Sequence, residues 1–234
     1  MSIKDNWFLH GPNYMKPFQN LYHVYCAGPL FNASERRAMC EIADILEAEG
    51  FTPWVPHRDG MEFAQVRPYL VNEVKIDPIA AGQLLHDAVF ALDVYQVVLG
   101  CGCLVCNLDG RVPDEGAVSE AAMAFMMGKP MVFYKEDVRS MINGRDNPLV
   151  VGLTQFRTVN HLHQIVPTLR TRIQEMEIVP SLEVACPVHL ELPLRRGERL
   201  WEHLQSLGKE RPTPQVADFV LELFQDNSLE GSLL

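Results

Sequence analysis

Apolar residues recur along this chain in two rhythms, short runs of β-forming residues and longer stretches with helical period, and the two alternate. Leu21 to Ala27 is a short strand-like run that ends at Gly28 and Pro29. Asn32 to Glu35 then fits a capping box, with the Asn side chain on early helical N–H groups and a Glu three residues on. Ala38, Ile42, Ile45 and Leu46 follow at helical spacing, and Gly50 suits the helix end. Phe51 to Val55 reads as a second strand stopped by Pro56, and Pro53 within it marks an edge position. Glu62 to Val74 is helical in part, and Gln83 to Val98 carries a helical repeat of Leu and Ala. Cys103 to Leu108, bounded by glycines, fits a buried parallel strand. Gly116 to Met127 predicts a helix, Met131 to Tyr134 a strand, Phe156 to Val159 a short last strand, and His161 to Ile173 a last helix.

Strands alternating with helices imply a parallel sheet with right-handed crossovers. The expected fold is a flavodoxin-like or Rossmann-like three-layer α/β domain with a five-stranded parallel sheet over residues 21–176. An irregular arm, residues 1–20, precedes it. From about Glu177 prolines interrupt the pattern, and residues 177–234 are expected to form a mostly helical appendage, with helices near Glu198–Ser206 and Val216–Gln225.

Composition narrows the function classes. The net charge of −10 repels a long polyanion, so a nucleic acid polymer is not the expected partner. No stretch is long and apolar enough for a membrane helix, and the N-terminus lacks the charge and hydropathy order of a signal peptide. Six cysteines in 234 residues are too sparse for a disulfide scaffold, which fits a reducing cytoplasmic setting.

The chemistry concentrates at the helix beginning at Gly116. Ten of its twelve residues are apolar or Gly, and only Ser119 and Glu120 are polar. Such a helix is expected to be buried, where a carboxylate is costly unless it is paired or faces a cleft. Asp114 and Glu115 lie just before it, and Gly116 lets a ligand approach the backbone. Asp114 and Glu120 can thus face one pocket at a strand end. Paired carboxylates suit glycosidic chemistry, one attacking C1′ while an acid protonates the leaving group. The plainer alternative is that Asp114 is an N-cap and Glu120 a satisfied ion pair.

Two segments together, Tyr25 to Phe31 and Asp114 to Pro130, resemble the nucleoside 2-deoxyribosyltransferase family. That family has a Tyr-x-x-Gly loop after its first strand and an Asp-x-Gly-x-x-x-Glu run opening a later helix. The six-residue steps from Tyr25 to Phe31 and from Asp114 to Glu120 match, and Asp93 stands roughly twenty residues before the second motif as in the pattern. The resemblance covers residues 21–160. It implies that Glu120 is the nucleophile of a covalent deoxyribosyl-enzyme. It implies that Asp114 binds the base and moves its proton, with Asp93 on the base side, and that Tyr25 steadies Glu120. Gly28, Pro29 and Gly116 would shape the pocket and Phe31 would pack on the base. A polar residue from a neighbouring subunit would complete the site, Asn147 being the nearest match and Asn143 its rival, so a homo-oligomer with shared sites is expected. Ala117 stands where the family usually has Thr or a small residue, and residues beyond 177 have no counterpart in the minimal fold.

The expected activity is transfer of a 2-deoxyribosyl group between nucleobases, with small-molecule nucleosides or nucleotides and free bases as partners and no cofactor. Hydrolysis of the same bond in a nucleoside 5′-monophosphate is the nearest alternative, since Ser34, Arg36 and Arg37 at a helix start could serve an anion. A nucleotide-sensing module without turnover is a third. Cys101, Cys103 and Cys106 form a Cys-x-Cys-x-x-Cys cluster of the kind that binds metal, but Cys103 and Cys106 would point to opposite faces of a strand and no Cys or His lies close in sequence to complete four ligands. His161 and His163 read as surface residues. Arg139 and Arg145 could bind a phosphate or pair with Glu136 and Asp146.

Overall fold

The computed structural model describes residues 14–15, 20–61, 63–110, 113–137, 146–177 and 184–225. In chain order these form β1 (Tyr14–Met15), β2 (His23–Ala27), α1 (Ala33–Ala48), β3 (Thr52–Trp54), α2 (Pro56–Asp59) and α3 (Phe63–Asn72). Next come α4 (Pro78–Tyr95), β4 (Cys103–Asn107), α5 (Glu115–Met126), β5 (Met131–Tyr134) and α6 (Pro148–Val151). The chain finishes with β6 (Thr158–Val159), α7 (Ile165–Glu177), β7 (Val184–Ala185), α8 (Val188–Ser206) and α9 (Thr213–Gln225). A π-turn, Gln96–Gly100, carries the chain from α4 toward β4. None of the helices among the described residues is long and apolar enough to cross a membrane.

The chain divides into two compact units, Met1–Pro56 with Val97–Ala185, and His57–Gln96 with Cys186–Leu234. The first holds a five-stranded parallel sheet of order β3-β2-β4-β5-β6. This is the expected α/β fold, and β3 takes the edge position that Pro53 marks. One face of the sheet packs on α1 and α7 through a core that includes Val24, Cys26, Met39, Ile42, Val105, Val132 and Leu169. Helix α5 lies on the other face, against β2, β4 and β5. Inside the N-terminal arm, β1 pairs with β7 as a separate two-stranded antiparallel ribbon.

Local sequence explains the helix ends. Asn32 accepts from the backbone N–H groups of Ser34 and Glu35, while Glu35 reaches back to the N–H of Asn32, so both halves of the capping box form. Two expectations need correction. Helix α5 is not buried all round: Ala117, Ala121 and Ala124 face the sheet, but Phe125 is 47% and Met126 76% exposed. Composition cannot distinguish an apolar face turned to the core from one turned outward. The C-terminal helix begins about ten residues before Glu198, and Pro193 lies inside it. A proline costs an internal hydrogen bond there, but the buried stripe of Leu194, Gly197, Leu200 and Leu204 outweighs it.

That stripe builds the second unit, a cluster of α3, α4, α8 and α9. Gly197 lets α8 come so near α4 that a Cβ would stand 2.1 Å from the carbonyl oxygen of Ala91. Residues 57–96, which the sequence pattern assigns to the α/β domain, are grouped by these contacts with the C-terminal segment. Within this unit Arg211 donates through Nη1 to the carbonyl oxygens of Asp59 (2.5 Å) and Gly60 (2.7 Å).

Candidate active site

The strand order reverses between β2 and β4. The chain leaves β2 for β3 on one side and then crosses to β4 on the other. Ligands of open α/β sheets bind outside the carboxyl ends of strands at such a switch point. Here those ends are Ala27 with the following Gly28, and Cys106 with Asn107, and Ala27 and Cys106 are register partners. A Cβ on Gly28 would lie 2.4 Å from Met39 Sδ and 3.1 Å from Asn107 Cβ, so glycine is what lets this loop close over the end of β4. Pro29 is buried behind it.

Two side chains from distant parts of the sequence meet beside this point. Tyr25, fully buried on β2, donates its phenolic hydrogen to Glu120 Oε1 at 2.6 Å. Such a short hydrogen bond orients the Glu120 side chain. Glu120 is half-buried on the second turn of α5. Asp114 is the N-cap of α5, and its Oδ2 accepts from the N–H of Ala117 at 2.7 Å. The cap uses one carboxylate oxygen of two, so capping and chemistry are compatible. Gly116 keeps the approach to that carboxylate open, since a Cβ there would stand 3.0 Å from Asp114 Oδ2.

Cys106, at the carboxyl end of β4, reports on both acids. Burial, then the charges of Glu120 and of Asp114, hold its thiol well above the usual range. Both carboxylates therefore act on one neutral, buried thiol. Cys103 faces the opposite side, in the core with α1 and α7, and burial pushes its thiol up to about 12. Among the described residues no group of three or more His, Cys, Asp or Glu is placed to hold a metal ion.

Asp93 belongs to the second unit, on α4. Desolvation pushes its pKa from 3.8 up to about 7, so near neutral pH it can both hold and release a proton. The other predicted residues that are described lie at the surface or in local contacts. Phe31 is 79% exposed. Asn147 caps the short helix α6, its Oδ1 accepting from the N–H of Leu149 at 3.0 Å, and lies on the surface. Asn143, Arg139 and Arg145 lie outside the described residues. Arg36 is engaged locally, its Nε donating to the carbonyl of Leu30 at 2.8 Å. His161 and His163 stack on each other at the surface, 5.5 Å between ring centroids.

Sequence reasoning overlooked three residues at this edge. Trp54, the register partner of Tyr25, lays its ring on the Tyr25 ring at 4.9 Å between centroids. Their alternation along two neighbouring strands was the available signal. Asn107 is buried and accepts from the N–H of Asp109 at 2.9 Å. Asp109 in turn accepts from the N–H groups of Glu136 (2.8 Å) and Asp137 (2.7 Å), tying the loop after β4 to the loop after β5. A separate groove of about 270 Å³ at the amino end of β5, between Phe125, Met131 and Arg172, contains none of the predicted residues.

The model of a family described as nucleoside 2-deoxyribosyltransferase matches residues 24–175. Among solved structures, a conserved protein from Enterococcus faecalis V583 is similar at 19% identity and a TM-score of 0.43, covering 64% of this chain and 98% of that one. A 2-desoxiribosyltransferase from Leishmania mexicana is similar at 12% identity and a TM-score of 0.33, covering 68% of this chain and 99% of that one. No curated protein matches. The family match spans well over half of the chain and includes Tyr25, Asp114 and Glu120, and the chain belongs to the nucleoside 2-deoxyribosyltransferase family.

Proposed function

We propose that this protein transfers a 2-deoxyribosyl group from one nucleobase to another by two displacements at C1′. The observation that carries the reading is the Tyr25–Glu120 hydrogen bond at the switch point of the sheet, in a chain of this family. In the first displacement a Glu120 oxygen attacks C1′. The C1′–N bond breaks, its electron pair goes to the base, and Asp114 supplies a proton to the leaving nitrogen. A glycosyl ester on Glu120 results. A second base then attacks C1′ through its ring nitrogen, the ester bond breaks, the carboxylate is regenerated and the base proton returns to Asp114. Two inversions give retention of the β-anomer. Every group this sequence of steps needs is a side chain or the two bases, so the reading invokes no cofactor.

Tyr25 has a defined part in this scheme. Its hydrogen bond fixes one carboxylate oxygen, which orients the other for attack and restrains the side chain from turning away. The exposed apolar face of α5, Phe125 and Met126, supports a subunit contact on the helix that carries Glu120. We propose a cytoplasmic homo-oligomer in which a neighbour's Asn147 reaches the substrate.

The test is base exchange. The protein is incubated with a deoxynucleoside and a different free base, and products are resolved by chromatography; a parallel run uses a deoxynucleoside 5′-monophosphate. A new β-deoxynucleoside is the expected product. Free base without exchange, above all from the monophosphate, would replace transfer by hydrolysis. No turnover of any of these compounds would make the chain a binding module.

A further inference from the structure

Trp54 has a feature that the scheme above leaves unused. It is 4% exposed, yet its indole Nε1–H has no acceptor among the described residues. Among the described residues of the α/β unit it is the one buried side-chain nitrogen or oxygen atom without a hydrogen-bond partner. A buried, unmet donor is costly, and folded proteins retain few of them. Phenylalanine at this position would keep the ring contact with Tyr25 and avoid that cost. The indole is also a donor only, with no acceptor capacity to satisfy itself locally.

Its location gives the donor a use. Trp54 is the last residue of β3, at the carboxyl edge of the sheet, and is the register partner of Tyr25. Its ring lies 4.9 Å from the ring whose hydroxyl holds Glu120. We infer that Trp54 is a substrate-binding residue whose indole N–H donates a hydrogen bond to an acceptor atom of the nucleoside held against Glu120. This rests on the proposed function, because it takes the ligand to be a nucleoside. The acceptor belongs either to the base or to the sugar. Both offer the same chemistry, an oxygen or nitrogen lone pair that pairs with a donor and gains nothing from an aliphatic or phenyl side chain.

The experiment follows the indole N–H directly. The protein is labelled with ¹⁵N at its three tryptophans, and the Trp54 resonance is assigned from the spectrum of Trp54→Phe. Should that variant not fold, Trp7→Phe and Trp201→Phe assign it by elimination. Free nucleobase and 1,2-dideoxyribose are then added separately to the wild-type protein. One of them is expected to move the Trp54 proton downfield, further than the other two indole protons, and the one that does so identifies the moiety. In exchange assays Trp54→Phe is expected to raise the KM of the nucleoside about fivefold, the loss of one neutral hydrogen bond, with kcat little changed. A Trp54 resonance that stays put in saturated protein, or a wild-type KM in Trp54→Phe, overturns the inference and leaves the proposed function standing. A wild-type protein that neither binds nor exchanges nucleosides overturns both.

Discussion

Tyr25 Oη and Glu120 Oε1 lie 2.6 Å apart although their residues are 95 positions apart in the chain. Strand β2 supplies the phenol and helix α5 the carboxylate, and the parallel pairing of β2 with β4 brings them to one place. Tyr25→Phe keeps the ring against Trp54 and removes only the hydroxyl. A hydrogen bond to a charged group contributes about 1.5–3 kcal/mol. If that bond organises Glu120 for attack, kcat for base exchange falls roughly tenfold to a hundredfold, while circular dichroism stays that of the wild type. A kcat within about twofold of wild type would remove Tyr25 from the mechanism.

Asp93 makes stability depend on pH. Its folded-state pKa of about 7 lies above the ordinary 3.8, so between these values the native protein holds a proton that the unfolded chain has released. Its contribution is full below the ordinary value and is lost as pH rises toward about 7. Asp93→Asn cannot ionise. The variant should therefore melt higher than wild type at alkaline pH, and the difference should shrink as pH falls toward 4. Thermal unfolding of both proteins across this range measures it; a difference independent of pH would contradict the assignment.

Lys129 gives a second pH signature, of opposite slope. Its ammonium is buried against the carbonyl of Cys101, and burial brings its pKa from 10.5 down to about 8. Between these values the unfolded chain binds the extra proton, so this group adds stability as pH rises from about 8. The melting temperature of wild type relative to Lys129→Met should climb from about pH 8 to about pH 10. A flat difference would mean that the amine is not desolvated.

Gly197→Ala tests the packing of the second unit. The added methyl would stand 2.1 Å from a backbone oxygen of α4, which cannot rotate away as a side chain could. Forced separation of two packed helices costs about 1–3 kcal/mol or more. Denaturant unfolding should show a loss of that order, and no loss would mean that α8 and α4 are not so close.

Much of the fold was legible because it rests on local signals. The capping box at Asn32, the prolines around β3 and the apolar run of β4 each follow from a few neighbouring residues. The candidate site was legible to the extent that its spacing is local: Asp114 caps the helix that carries Glu120. What was not legible depends on long-range packing. Which face of α5 would be left exposed at Phe125 and Met126, the continuation of α8 through Pro193, and the grouping of residues 57–96 with the C-terminal helices are all decided by partners far away in sequence. Trp54 escaped for the same reason, since its meaning comes from the strand beside it.

The central claim is that Glu120 becomes covalently glycosylated. Wild-type protein mixed with a deoxynucleoside in the absence of acceptor base is quenched in acid, digested and analysed by mass spectrometry. The account predicts one added 2-deoxyribosyl residue on the peptide carrying Glu120, its disappearance when acceptor base is added before the quench, and neither adduct nor exchange in a folded Glu120→Ala variant. Exchange at the wild-type rate in Glu120→Ala, or an adduct on another residue, would contradict it.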